Sequence, residues 1–517
     1  MNGAHALLAT LDANNVTTCF ANPGTSELHF VAGLDDAPTM KAILCLFEGV
    51  ATGAADGYAR VTGRPACTLL HLGPGLANGW ANLHNARRAH VPLLNIVGDH
   101  ATYHSQFDAP LQSDIGAIAS ALEGWQRRTL SPDDVARDTA DAITAAYGPP
   151  GQVATLIVPA DVTWGEADTP ATWPKAARAK LHEIRDADLA AATRALRTKR
   201  SAILLGGSAL DAEQLALADR VTQSTGARLL METFPAIVER GEGLADPERL
   251  IYLSEFAIAQ LKDVEAIVLI GAIEPVGFFA YPDVSSRLLN PGTSVISLAT
   301  PGADTKTALL ELAKELNASM TEVVKGEQVG TPTGALTTQS FAAAVGATMF
   351  EGLIVAEEAI TSGVHLFGAT QHGPRHRWMT LTGGSIGYGL PVALGAAVAS
   401  GSRVLCLEAD GSMMYTPQAL WTMARESLDV TVVALSNRSY AILNLERQRV
   451  GASEQGSASQ RLLELDDPTL DLCAIATGLG VPSVRVTNAD ELVQALRRSY
   501  FTPGPMFIEA VLPKGLS

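Results

Sequence analysis

Cysteine is scarce. Only five occur in 517 residues (Cys19, Cys45, Cys67, Cys406 and Cys473), scattered and mostly inside apolar runs. With no CxxC pair and no Cys/His cluster, the pattern argues against a zinc site or a disulfide framework. Positive charge is short as well: 37 Lys and Arg stand against 54 Asp and Glu, a formal charge of −17. Such a surface argues against nucleic-acid or anionic-membrane partners. It does not exclude an anionic substrate, because a local site can differ in sign from the whole. No apolar run of about 18 residues escapes interruption by Gly, Ser or charge, so no membrane-spanning helix is expected. The N-terminus lacks a basic region followed by an apolar core, so no signal peptide is expected and the default is a cytoplasmic enzyme. No short-period repeat is visible.

What is present is apolar bulk, 47 % of residues, enough for several cores in a chain whose length suggests about three domains. The pattern is α/β throughout. A first unit, residues 1–165, reads as a helix over 3–14 and strands near Thr17–Phe20, Lys41–Phe47, Ala66–Leu72, Pro92–Gly98 and Gly151–Pro159. A polar, Pro/Ala-rich linker covers 165–185. A central unit, 186–320, carries strands near Ala202, Ala227–Met231, Ala266–Ile270 and Thr293–Ser297. A second linker, roughly 320–337, precedes a third unit over 338–517, whose layout resembles that of the first. The expected fold class is three doubly wound parallel-sheet domains.

The densest chemistry lies at Asp410-Gly411-Ser412 and Asn437-Arg438-Ser439. Between them the chain reads strand, helix, strand: Val404–Glu408, a helix introduced by Thr416-Pro417, and Val430–Leu435. In a βαβ unit both strands leave the sheet at the same carboxyl edge, where open α/β sheets bind ligands. Asp410 and Asn437, 27 residues apart, would converge there as hard oxygen donors suited to Mg²⁺ or Ca²⁺, with phosphates completing the shell. The plain alternative is a turn that happens to contain Asp-Gly. Thr361-Ser362-Gly363 forms a strand-end turn whose N–H groups can face an anion. In the first unit, Glu48 follows an apolar strand and opens a helix of small residues. It is either a carboxylate able to exchange a proton with a bound base or a helix-start acid favoured by the dipole. His71 ends a strand on the same edge, and His100, His104 and Gln112 follow the next one. The glycines of 73–79 resemble a dinucleotide fingerprint only loosely: the spacing is wrong and Pro74 interrupts it. The loop 271–281 reads as loop and core packing.

Four motifs in order resemble one family across nearly the whole length: Asn22-Pro23-Gly24; Glu48 with Ala55-Asp56-Gly57-Tyr58-Ala59-Arg60; Gly383–Pro391; and Asp410-Gly411-Ser412 with Asn437. The chain is similar to the thiamine-diphosphate-dependent enzymes typified by acetolactate synthase, pyruvate oxidase and benzoylformate decarboxylase. The resemblance implies a pyrimidine-binding first domain, a middle domain and a diphosphate-binding third domain. It implies Mg²⁺ held by Asp410, Asn437 and the Ser439 carbonyl, with Gly411, Ser412, Tyr440 and Thr361 at the diphosphate. Ile386 would be an apolar wedge bending the cofactor, and Glu48 would pair with the aminopyrimidine. The chain departs from the family at Ala409, where Gly is usual, and at Ser436, where the first of two Asn is usual. The implied reaction is decarboxylation of a small 2-oxo acid, ending in aldehyde release or carboligation. The implied assembly is a homodimer or homotetramer with active sites between subunits. His71 and Thr25 fall where benzoylformate-decarboxylase-like enzymes place an active-site histidine and serine, and Phe279 falls near their second histidine. The paired histidines of pyruvate decarboxylases are missing. FAD is possible but not favoured, since the middle domain is short. Two other readings remain: an NAD(P)-dependent oxidoreductase using glycines 73–79, and a non-catalytic cofactor-binding paralogue. Pocket walls are expected from loops such as 100–114 and 441–452.

Overall fold

A computed structural model describes the chain except for residues 169, 171, 320–325, 453–455 and 515–517. Parts of both expected linkers, and the last two of these stretches within the expected third domain, therefore lie outside the described residues.

The chain builds three sheets. The first joins β1 (Thr18–Asn22), β2 (Lys41–Leu44), β3 (Cys67–Leu70), β4 (Leu93–Asp99), β5 (Gln126–Arg128) and β6 (Val153–Pro159) in the order β2-β1-β3-β4-β6-β5, all parallel. The central sheet uses β7 (Ser201–Leu205), β8 (Arg228–Met231), β10 (Glu248–Arg249), β11 (Ala266–Ile270) and β12 (Ser294–Ala299), ordered β10-β8-β7-β11-β12 and also parallel. The third comprises β13 (Ile354–Glu358), β14 (His376–Thr380), β15 (Val404–Ala409), β16 (Val430–Ser436), β17 (Ser483–Val486) and β18 (Met506–Val511). A seventh strand, β9 (Val238–Arg240), crosses over from the central segment and pairs antiparallel with β14. The three doubly wound, parallel-dominated layers expected of the sequence are present. The loan of β9 to the third sheet is not visible in the pattern, because a three-residue strand containing Glu239 and Arg240 carries no apolar run.

Burial explains the sequence. The central strands are buried on both faces, so β6 and β16 read as continuous apolar runs. The helix Glu48–Thr62 packs across the helix Gly389–Ser400 with backbones almost touching. A Cβ on Gly57 would lie 2.1 Å from the Val392 carbonyl oxygen, and one on Gly395 would lie 1.8 Å from that of Ala54. The small-residue runs in both helices are therefore a packing requirement.

One buried ion pair fastens the three segments together. The Arg60 Nε and Nη2 donate to Asp56 at 2.8 and 2.9 Å, and its Nη1 donates to Ala236 O, Thr380 O and the Tyr388 hydroxyl. Neither side chain of the pair has any exposure. Every strong donor is satisfied, the condition under which a buried ion pair is tolerated.

Several local expectations are corrected. β2 ends at Leu44 rather than Phe47, because Phe47 caps the next helix in extended conformation and Glu48 becomes its first residue. The stretch 73–79 is not a loop; it lies inside the helix Leu72–Arg88. Its glycines are there for contact: a Cβ on Gly73 would strike the Ser113 hydroxyl, one on Gly75 would come within 3.3 Å of Glu48 Oε1, and one on Gly79 would meet Thr52. The dinucleotide reading loses its phosphate loop. Thr416 does not cap the following helix, which begins at Gln418; its hydroxyl donates to Gly387 O at 3.0 Å instead. The stretch after Tyr440 is a helix, Ala441–Arg449, where a loop was expected.

Candidate active site

The adjacent ends of β15 and β16 bring Asp410 and Asn437 together at the carboxyl edge of the third sheet, as the βαβ argument requires. Asp410 opens a one-turn helix, Asp410–Met413, that contains Gly411 and Ser412. Its Oδ2 accepts from the Arg438 N–H at 2.6 Å and its Oδ1 from the Gly411 N–H at 2.9 Å. Asn437 Oδ1 accepts from the Ser439 N–H at 3.0 Å, and its amide reaches Ser362 Oγ at 3.5 Å. Arg438 sits between them at φ 56°, a left-handed conformation uncommon for its type. Tyr440 lies over Gly411, where a Cβ would be 2.5 Å from its ring. Asp410, Ser412, Asn437 and Ser439 are all buried. Thr361 occupies the single turn Ile360–Gly363, but the hydroxyl turned toward Asn437 belongs to Ser362. Among the described residues no three His, Cys, Asp or Glu side chains cluster as a metal site. One carboxylate with an amide oxygen and a backbone carbonyl is a weak cage by itself. It suits a cation that keeps phosphate oxygens in its shell, so these residues fit the Mg²⁺–diphosphate group that the resemblance implies.

Burial pushes the Asp410 carboxyl up to about 6, against the pull of the Arg438 and Gly411 N–H groups. The metal-free fold thus holds this proton more tightly than the unfolded chain, where a free Asp titrates near ~3.9. Its contribution to stability is present at low pH and lost as pH rises through about 6. Above that pH the Arg438 charge only partly offsets the burial of the carboxylate, and a divalent cation would add to it. The rise in melting temperature on adding Mg²⁺ with the diphosphate cofactor is therefore expected to be larger at pH 7.5 than at pH 5.5. Apparent affinity should fall about tenfold per pH unit below the carboxyl's value. A thermal shift independent of pH across this window would contradict the role of Asp410.

At the carboxyl edge of the first sheet, Glu48 is buried, with its Oε2 accepting from Asn78 Nδ2 at 3.0 Å. It makes no hydrogen bond to the Asp410 group of its own chain. His71 precedes the helix Leu72–Arg88, and its Nδ1 lies 2.8 Å from Glu27 Oε2, which also accepts from the Gly24 N–H at 2.7 Å. A Cβ on Gly24 would overlap the His71 ring, which gives the Asn22-Pro23-Gly24 turn its physical reason. Thr25 shares this turn and is exposed. Burial pushes the Glu27 carboxyl up, with His71 pulling it back down. His100 follows β4 nearby; its Nε2 is buried without a partner, and burial with His104 and His71 nearby pushes its pKa down. Gln112 Oε1 and Ser113 Oγ are likewise buried and unpaired. Glu27 and Asn78 escaped the sequence reading, which took Ser362 only for its backbone N–H and not for the hydroxyl at Asn437. Only the G-x-x-E spacing of Gly24 and Glu27 could have signalled the first.

Ile386 is half-buried on the loop 382–388. Phe279 and Phe278, both exposed, cluster with the half-buried Tyr252 and Phe234, ring centroids 5.0–6.0 Å apart. Phe278 lies against Gly384, where a Cβ would be 2.3 Å from its ring. The 271–281 loop is thus not plain core. Beyond Tyr440, Leu443 is exposed, while Glu446 and Arg449 pair with each other and Arg449 with Glu255.

Residues 1–121 match the model of the thiamine pyrophosphate enzyme N-terminal TPP-binding domain, and residues 361–510 that of the C-terminal TPP-binding domain. A Mycobacterium tuberculosis protein, provisionally named acetolactate synthase large subunit IlvX, is 52% identical over 517 residues, 99% of either chain. Benzoylformate decarboxylase of Pseudomonas aeruginosa is 28% identical over 96% of each. Among solved structures, the Rhodococcus jostii thiamine diphosphate-dependent 4-hydroxybenzoylformate decarboxylase superposes with a TM-score of 0.86 over the whole of both chains at 23% identity, a likeness of fold. With both cofactor-binding domains matched in order and a relative that is half identical end to end, the chain belongs to the thiamine-diphosphate-dependent enzyme family of acetolactate synthase and benzoylformate decarboxylase.

Proposed function

We propose that this protein binds thiamine diphosphate with Mg²⁺ and decarboxylates a 2-oxo acid, releasing an aldehyde or joining the retained fragment to a second carbonyl. The observation that carries the reading is the presence of two buried carboxylates at the ends of two parallel-dominated sheets. Asp410 sits in an oxygen-only site at one sheet edge, and Glu48 is held by Asn78 at another. Asp410, Asn437 and the Ser439 carbonyl hold the cation. Gly411, Ser412, Thr361 and Tyr440 flank the diphosphate, and Ile386 supports the cofactor's bend. Bound there, the cofactor would supply an acidic thiazolium C2–H as the latent nucleophile and the thiazolium ring as the electron sink for decarboxylation. Glu48 holds or moves a proton at N1′ of the aminopyrimidine. Glu27 orients His71 through Nδ1, and the other ring nitrogen is left to exchange a proton with the reactant. Thr25 stands beside it.

Among the described residues Glu48 makes no hydrogen bond to the metal-site residues of its own chain, which supports active sites shared between two copies, in a dimer or a dimer of dimers. Flavin is outside the proposal. In the central sheet Glu232, pushed by burial to about 7, accepts the Gly207 N–H at 3.0 Å. Phe279, a hydrocarbon where related decarboxylases place a second histidine, favours keeping carboligation beside aldehyde release.

The test is incubation with Mg²⁺, thiamine diphosphate and a panel of 2-oxo acids, scoring CO₂, aldehyde and acyloin. CO₂ with one of the two organic products is expected. Absence of all three across aliphatic and aryl donors would show the substrate class to be wrong.

A further inference from the structure

Ile386 itself forms no backbone hydrogen bond, yet the residues on either side of it are pinned. The Asn85 side chain takes both peptide groups of Ser385: its Oδ1 accepts the Ser385 N–H at 3.2 Å and its Nδ2 donates to Ser385 O at 2.8 Å. Asn82 Nδ2 donates to Gly387 O at 3.1 Å and, through its second hydrogen, to Gly49 O at 2.9 Å, the carbonyl next to Glu48. Asn85 Nδ2 also bonds Asn82 Oδ1 at 3.1 Å, so the two amides form one unit. Glu358 accepts the Gly387, Tyr388 and Gly389 N–H groups at 2.9, 2.8 and 2.6 Å. Asn82 and Asn85 are almost wholly buried, as is Glu358. Buried amides that bond this loop on one side and Gly49 and each other on the other hold it in a single geometry.

We infer that Asn82 and Asn85 are positioning residues for Ile386, fixing the height of its side chain under the cofactor's bend. The inference rests on the cofactor reading above. The first-domain helix that begins beside His71 thereby also sets the third-domain loop. Nothing in these contacts requires Asn merely for domain adhesion, which the helix pair Glu48–Thr62 and Gly389–Ser400 and the Asp56–Arg60 pair already provide. A positioned side chain displaced by about 1 Å can cost on the order of 10²-fold in rate while binding persists.

The experiment uses the full-length protein loaded with Mg²⁺ and thiamine diphosphate. Asn82→Asp keeps the size and the acceptor for Asn85 but removes both donated hydrogen bonds. The expected result is cofactor affinity within about threefold of the parent, with exchange of the thiazolium C2 proton slowed about 10- to 100-fold. Ile386→Ala is slowed similarly, and Asn82→Asp with Ile386→Ala is no slower than Ile386→Ala alone, since residues acting through one another are non-additive. Unchanged exchange in Asn82→Asp, or effects that multiply in the double variant, would overturn the inference. If Asn82→Asp does not fold, Asn85→Ser is read by the same criteria. A parent protein that fails to bind the Mg²⁺–thiamine diphosphate pair overturns the functional reading itself and this inference with it. That result is distinct from intact binding with unchanged exchange.

Discussion

Asp410→Ala is expected to lower affinity for the Mg²⁺–thiamine diphosphate pair by at least about 100-fold and to leave no measurable turnover at ordinary cofactor concentrations. Loss of groups that merely orient metal ligands already costs about 10–100-fold, and Asp410 is the only carboxylate among the proposed ligands. Its removal also frees the Arg438 and Gly411 N–H groups that it now satisfies. Burial outweighs the Arg438 charge and has pushed this carboxyl up, so Ala relieves a partly compensated buried charge in the metal-free protein. The apo variant should therefore melt no lower than the parent near pH 7.5, while the stabilisation conferred by cofactor disappears. Calorimetric titration and thermal melts with and without Mg²⁺ and cofactor check both parts. Cofactor affinity retained within a few-fold would remove Asp410 from the metal site.

Glu48→Gln separates binding from chemistry. The amide keeps the shape, and with a suitable flip it still meets Asn78, but it cannot carry the proton. Affinity for the Mg²⁺–cofactor pair is expected to change by less than about tenfold. Proton exchange at C2 and 2-oxo acid turnover should fall by about 10²–10⁴-fold, the usual worth of a positioned acid–base group. Exchange followed by NMR, beside steady-state CO₂ release, measures both. Unchanged turnover would refute the role and return Glu48 to a helix-start acid. A parent protein that binds cofactor but never turns over would favour the non-catalytic paralogue.

Much of the fold is legible in the chain because parallel strands buried on both faces must be apolar along their whole length. β11 falls where the apolar run places it, and β6, β15 and β16 shift only at their ends. The strands that escape are β5, β9 and β10, two or three residues long at sheet edges, and β14, whose His376, Arg377 and Thr380 leave it without an apolar run. Glycines mislead for a related reason. Gly73, Gly75 and Gly79 have the composition of a phosphate loop, but their lack of a side chain serves contact with Ser113, Glu48 and Thr52. Beyond its short spacing from Gly24, nothing local marks Glu27 as a functional group, because its partner His71 and the neighbouring Gly98 come from other strands.

By itself the sequence determined the layers, the strand ends carrying Glu48, His71, Asp410 and Asn437, and the family to which their order points. Local pattern suffices there, because strand direction and carboxyl-edge position follow from short-range periodicity. The tertiary structure alone decided which carboxylates are buried, that Glu27 holds His71, and that Asn82 reaches Gly387 across 305 residues. Burial and hydrogen bonding depend on which distant residues fill the neighbouring space, and no local spacing encodes that.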